Sequence, residues 1–310
     1  MIFGSYIGGI YPRPEQLIEA TRTNSLNLKS LFIEEKKKII SLQVKAGLSY
    51  ISDPLINWDD MFRPFLSLKG FEQGSLNRIF EKNTFYRTPV ATSKISGGGK
   101  LALSNLALRL LPQSKPWKAD LPDPYTMVSL SKNLYYTNKN DFVIDVAKAL
   151  AKEAKTLANK GVQLIQINAP SLCYVRDKDD LGMAKDALKI ITKGLNIKFY
   201  LHLYFGNPKH VLPDILDFPI HGIGLNSLKV DDLGDFTMGD KGLALGCVDA
   251  SNTRIEQPNQ IAKEAKKICT VLKPRELYLC PNYDLEYIPH LYARRKIIKL
   301  GETLKILRGK

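Results

Sequence analysis

Residues 141–168 read DFVIDVAKALAKEAKTLANKGVQLIQIN. In 141–160, Phe142, Val143, Val146, Leu150, Ala154 and Leu157 recur at helical spacing, and Gly161 stands where such a helix would end. Residues 162–168 are an apolar run of strand length. Helix, glycine break and buried strand make one step of a β/α alternation, and the same rhythm continues on both sides. Downstream, candidate strands lie at 197–203, 222–226, 243–248 and 276–280. A helix is expected at 259–272, with Ile261, Ala265, Ile268 and Leu272 on one face and Pro258 near its start. Upstream, candidate strands lie at 2–5, 48–53 and 125–130, with a long helix at 28–46.

Eight strands alternating with helices predict parallel pairing through right-handed crossovers, which closes into an α/β fold of the (β/α)8 TIM-barrel type. An open doubly wound sheet is the alternative, but no G-x-G-x-x-G follows any strand. Residues 59–121 interrupt the rhythm with several prolines, the run Gly97-Gly98-Gly99 and a candidate strand at 86–91. We read them as an insertion between strands 2 and 3 that lies over the barrel mouth, within a single domain spanning 1–310.

The composition agrees with a barrel. The chain has 310 residues, 44 % hydrophobic and 25 % charged, which excludes disordered and fibrous classes. No apolar run reaches the roughly 18–20 residues that span a bilayer. The opening MIFGSYIGGIYPRP has no basic region ahead of an apolar stretch, so a soluble cytoplasmic protein is expected. Cys173, Cys247, Cys269 and Cys280 form no C-x-x-C pair and read as free thiols. The formal charge of +14 is dispersed, with its densest runs at 34–38 and 293–296 in helical patterns. No nucleic-acid motif accompanies it, so an anionic ligand or an acidic protein is the expected partner rather than nucleic acid or membrane.

Chemistry in a barrel sits at the C-terminal ends of the strands. Those ends carry Gly4-Ser5, Asp53-Pro54, Pro124-Tyr125-Thr126, Asn168-Ala169-Pro170, His202-Leu203-Tyr204, Asn226-Ser227, Asp249 and Pro281-Asn282-Tyr283-Asp284.

These residues resemble cobalamin-independent methionine synthase, above all its short single-barrel form. Gly4-Ser5-Tyr6 and Tyr11-Pro12-Arg13-Pro14 are similar to the family's opening G-S-[FY]-P-R, here interrupted. Residues 122–136 resemble its G-P-[YF]-T region, 165–172 its I-Q-I-D-E-P-[AS]-L, 246–249 its G-V-V-D and 280–285 its N-P-D-C-G-L. The resemblance implies methyl transfer from a reduced pterin to homocysteine, with a zinc ion holding the substrate sulfur as thiolate. It also implies zinc ligands at His202, Tyr204, Asn226 and Tyr283. Only His202 is a zinc-ligand type there, because the other positions carry two phenols and an amide in place of thiolates and a carboxylate.

The implied homocysteine pocket is altered too. Asn168 and Ala169 stand for the family's Asp-Glu, and Asp53-Pro54-Leu55 for its D-G-E. Gly4 and Ser5 remain as carboxylate-binding candidates, Asn168 as a substrate contact and Arg13 as a contact for an anionic tail. No zinc or other cofactor is expected. Several segments, 57–61, 202–206 and 218–223, resemble the zinc-free N-terminal barrel of the long form. The leading expectation is a non-catalytic auxiliary subunit of a separate zinc-bearing methionine synthase, helping hold an anionic methyl donor such as a reduced pterin. A second is an active methyltransferase with altered chemistry, in which His202, Asp249 and Asp284, with Asp53, act as acid and base. A third is a stand-alone pterin- or anion-binding protein.

Overall fold

The computed structural model describes residues 1–80, 84–227 and 236–309. In chain order its elements are β1 (Ile2–Ser5), α1 (Glu15–Arg22), α2 (Leu28–Ala46), β2 (Ile51–Ser52), β3 (Lys69–Arg78), β4 (Phe85–Ser96) and α3 (Leu101–Asn105). There follow β5 (Trp117–Pro122), α4 (Pro124–Ser129), β6 (Lys132–Asn133), α5 (Lys139–Asn159), β7 (Val162–Asn168), α6 (Lys178–Thr192) and β8 (Lys198–Leu203). The last third holds α7 (Leu212–Ile215), β9 (Gly222–Asn226), β10 (Gly242–Val248), α8 (Pro258–Leu272), β11 (Glu276–Pro281) and α9 (His290–Leu307).

Eight strands form one curled sheet in the order β1-β11-β10-β9-β8-β7-β5-β2. Every ladder in it is parallel. Its two edges meet where the Ser49 and Tyr50 N–H groups donate to the Ser5 carbonyl at 2.9 and 3.2 Å. The (β/α)8 expectation holds. Strand β2 has only two ladder residues, and Gln43 of α2 completes its bonding through both the N–H and the C=O of Ser52.

Two apolar layers result. One large cluster packs the helices against the outside of the sheet, and a smaller one, Tyr6, Leu164, Tyr200, Ala244, Tyr278 and Cys280, lies inside the barrel. The interior is more aromatic and polar than aliphatic. Tyr200 donates to Glu276 at 2.7 Å, and Lys198 Nζ reaches Tyr278 Oη at 3.0 Å. The interior rings fit because glycines stand beside them on neighbouring strands. A Cβ on Gly224 would lie 2.5 Å from the His202 ring, closer than side chains approach one another.

One strand expectation fails. Residues 125–130 lie mostly in helix α4 and not in a strand. Asp123 caps this helix, its carboxylate accepting from Thr126 N–H at 2.7 Å, and Pro124 supplies the first turn. A short apolar run carries no period that separates a buried strand from a buried helix. The third barrel strand is β5, where Lys118 and Asp120 break the apolar pattern although all six residues are buried. The insertion between barrel strands 2 and 3 therefore ends before Trp117.

Within it, β3 and β4 pair antiparallel, and β6, which follows α4 outside the insertion, adds to β4. Phe71 of this sheet meets Phe142 of α5, ring centroids 6.0 Å apart. Glu153 of α5 accepts from the N–H groups of Leu101 and Ala102, each at 3.1 Å, and also from Gly99. Ile79, Thr84, Phe85 and Tyr86 line one wall of the barrel mouth opposite Tyr204, Asp284 and Tyr287. Ile79 and the start of β4 thus border the mouth.

Candidate functional site at the barrel mouth

His202 stands one residue before the end of β8 with its ring inside the barrel, 6 % exposed. Its Nε2 lies 2.9 Å from the hydroxyl of Tyr6, the residue that follows β1. Burial, then the nearby Lys118 cation, pushes the imidazole pKa well below its usual value, so the ring is neutral at pH 7. Burial likewise raises the Tyr6 phenol, so both partners are uncharged.

The chain leaving Tyr6 fills the mouth. Ser52 Oγ donates to the Ile7 carbonyl at 3.2 Å, and Gly9 N–H donates to Asp120 Oδ1 at 3.1 Å. Glu286 N–H donates to the Ile10 carbonyl at 3.0 Å, and Tyr11 N–H to that of Pro54 at 2.9 Å. Gly9 has φ +68°, and a Cβ there would lie 1.6 Å from Asp284 Oδ1. Only glycine tolerates both that backbone and that closeness. Below the loop, Asp120 Oδ2 accepts from the buried Lys118 at 2.7 Å. Above it, the space between the insertion, Tyr204 and Tyr287 is about 20 Å³, room for one water molecule.

The implied zinc positions carry aromatic packing. Tyr204 is buried, its ring meeting Phe205 at 4.7 Å, and Phe205 meets Tyr283 at 5.1 Å. Burial raises the pKa of both tyrosines, so both stay phenols. Asn226 ends β9, in register with Gly246. Cys280 lies inside the barrel beside Tyr6 and Tyr200, and burial keeps its thiol protonated. Among the described residues, no group of three or more His, Cys, Asp or Glu is arranged to hold a metal ion.

The substrate-binding candidates divide. Gly4 packs on the Tyr278 ring, and Ser5 is fully buried with its Oγ lacking any hydrogen-bond partner. Asn168 accepts from Gln166 Nε2 at 2.7 Å inside the barrel. Arg13 lies apart from them. Its guanidinium donates to the carbonyls of Ile56 at 2.6 Å and Trp58 at 3.3 Å, pairs with Asp59 at 2.9 Å and lies over the Phe32 ring.

The acid–base candidates are scattered as well. Asp53 pairs with buried Lys36 at 2.8 Å and accepts from the N–H groups of Leu55 and Ala107. Asp249 shapes its own loop, accepting from Ser251 N–H and Oγ and from Asn252, and these bonds outweigh burial to hold its pKa low. Asp284 alone reaches the mouth. Burial, reinforced by the Asp120 charge, pushes its carboxyl up to about 7.

Three participants escaped the sequence reading: Tyr6, Gly9 and the Lys118–Asp120 pair. Each left a trace. The Gly8-Gly9 step interrupts the opening motif, and Lys118 and Asp120 are spaced two apart, as residues on one face of a strand are.

Comparison with known proteins agrees with the fold. Residues 9–300 match the family described as "Cobalamin-independent synthase, Catalytic domain". A methionine synthase of Saccharolobus solfataricus is 28 % identical, the alignment covering 97 % of this chain and 93 % of that one. A methionine synthase of Sulfolobus acidocaldarius is 26 % identical over 97 % of this chain and 91 % of its own. Among solved structures, a B12-independent methionine synthase from Shewanella sp. W3-18-1, in complex with selenomethionine, superposes with a TM-score of 0.80 at 19 % identity, covering 100 % of this chain and 98 % of that one. A methyltransferase from Methanosarcina mazei superposes at 0.61 and 13 % identity, covering 96 % and 94 %. With almost its whole length matched, this chain belongs to the cobalamin-independent methionine synthase family.

Proposed function

We propose that this barrel serves methionine biosynthesis without performing the methyl transfer, as an auxiliary subunit of a separate zinc-bearing methionine synthase. One observation carries the reading: the chain's own residues 6–11 occupy the mouth, and the Tyr6 hydroxyl faces Nε2 of His202, the one zinc-ligand type among the implied positions. Zinc sites use three or four protein ligands drawn from thiolate, imidazole and carboxylate. Here the implied positions offer a capped neutral imidazole, two phenols and an amide, which does not fit that donor set. No chemical step is therefore derived through a metal.

The substrate side supports the same reading. An ammonium group in a partly buried site needs carboxylates to replace its lost hydration. The family's Asp-Glu position holds Asn168 and Ala169, and the Asn168 amide is already hydrogen-bonded to Gln166. Holding an anionic methyl donor belongs to this role, but Arg13 is a poor contact for it because Asp59 and two carbonyls already satisfy its guanidinium.

The direct test is the metal content of the purified chain after brief exposure to zinc and removal of the excess. Well below one equivalent is expected. Near one equivalent, retained against mild chelation, would mean that other ligands rebuild a site, and the proposal would fall. Copurification at low salt from the native cell should recover a methionine synthase that carries the zinc ligands, and repeated failure to do so would refute the auxiliary role.

A further inference from the structure

A cleft of about 570 Å³ opens on the outside of the barrel, between α2 and the start of α9. That size suits a small ligand. Its walls carry Lys37, Lys38 and Lys45 from α2 and His290 and Arg294 from α9, with Glu35 as the one acidic residue. Glu35 is already engaged, by His290 at 3.0 Å and Lys38 at 3.0 Å. Among the described residues, Lys37, Lys45 and Arg294 have no carboxylate at ion-pair distance. The cleft therefore carries more positive charge than its single carboxylate, Glu35, balances.

Two further features point the same way. Helix α9 has 18 residues and begins after Pro289 with no side-chain cap and no acidic residue in its first turn. The positive end of its dipole thus faces added cations instead of a carboxylate, an arrangement that favours an external anion. Tyr11 also lines the cleft. It is 2 % exposed, its ring meets His290 edge-on at 5.5 Å, and its hydroxyl has no hydrogen-bond partner. Buried hydroxyls are nearly always bonded, so an unpaired one beside a cationic cleft marks a missing acceptor. Burial and the Glu35 charge keep this phenol protonated, so it can only donate to such an acceptor.

We propose that this cleft binds the phosphate group of a small phosphorylated metabolite, held by the Arg294 guanidinium, the start of α9 and the Tyr11 hydroxyl in the field of the α2 lysines. A planar carboxylate has two oxygens in one plane. A tetrahedral dianion presents acceptors in several directions, which a guanidinium fork, a helix end and a phenol can serve together. The site lies outside the barrel, shares only Tyr11 with the segment that fills the mouth, and does not rest on the auxiliary role.

Titration calorimetry of the full chain with inorganic phosphate and with pyrophosphate, at about 0.1 M salt to suppress diffuse attraction, tests it. Saturable binding of one anion per chain is expected for pyrophosphate. Arg294→Gln should weaken it about tenfold and Tyr11→Phe about threefold, as loss of a charged and a neutral donor would. Lys160→Gln, at the far end of α5, should leave it unchanged. Tyr11→Phe removes only the unpaired hydroxyl, so it should melt no lower than the parent without anion, yet lose part of the pyrophosphate-induced rise in Tm. Absence of saturable binding, or binding that Arg294→Gln leaves within about twofold, would overturn the proposal. Tighter binding of a triglutamate peptide than of pyrophosphate would overturn the phosphate assignment.

Discussion

The hydroxyl of Tyr6 and the imidazole of His202 come from residues 196 positions apart, and their 2.9 Å contact ties the start of the chain to the eighth strand. Both groups are buried, so removing one leaves the other without a partner. Tyr6→Phe should cost about 1–3 kcal/mol in urea unfolding. An unchanged midpoint would mean that His202 finds another partner. Asp123 offers a second test, in pH. Burial lifts its carboxyl from the ordinary value to about 6, with the Thr126 N–H bond opposing. The native state therefore holds this proton more tightly than the unfolded chain does. The resulting stability is complete below about pH 4 and is lost as pH rises through about 6, a loss of up to about 3 kcal/mol. Asn at this position still caps α4 but does not titrate, so Asp123→Asn should flatten that stretch of the stability–pH curve.

At the level of elements, helix α5 organises the insertion. Its Glu153 is fully buried, and its carboxylate accepts N–H groups from Gly99, Leu101 and Ala102, where the chain turns into α3. Glu153→Ala would strand those donors, and a loss of about 2–4 kcal/mol is expected. Faster proteolysis near residues 97–105 should accompany it, and cleavage rates equal to the parent's would contradict this anchoring role. The same scale shows what the sequence makes legible. Strands β7 and β9 coincide with their sequence expectations because they are short, mostly apolar runs without a charge, each ending at asparagine. Strand β5 was missed because its inward positions carry Lys118 and Asp120, whose partnership is visible only when the sheet curls.

For the molecule as a whole, the barrel interior is held by paired charges as well as by packing. Lys118 is 1 % exposed, and burial lowers its pKa while Asp120 opposes that shift. Breaking such a pair leaves an uncompensated charge in a dry interior, so Lys118→Met should cost about 3–5 kcal/mol. Adding Asp120→Leu should restore much of it if pairing is the whole role. Because Asp120 Oδ1 also holds Gly9, incomplete rescue would measure how much the mouth loop contributes.

The sequence by itself determined the β/α alternation, the resemblance to the family and the residue types Tyr204, Asn226 and Tyr283 at positions where that resemblance implies zinc ligands. Each of these is a matter of local period or of residue type at a strand end, and both are written in the chain. Only the tertiary structure decided what occupies the mouth. Tyr6 meets His202, Gly9 wedges between Asp120 and Asp284, and Arg13 turns away to Asp59. Those outcomes depend on residues brought together when the barrel closes, and no pattern of local spacing encodes which side chain fills a space that exists only after closure.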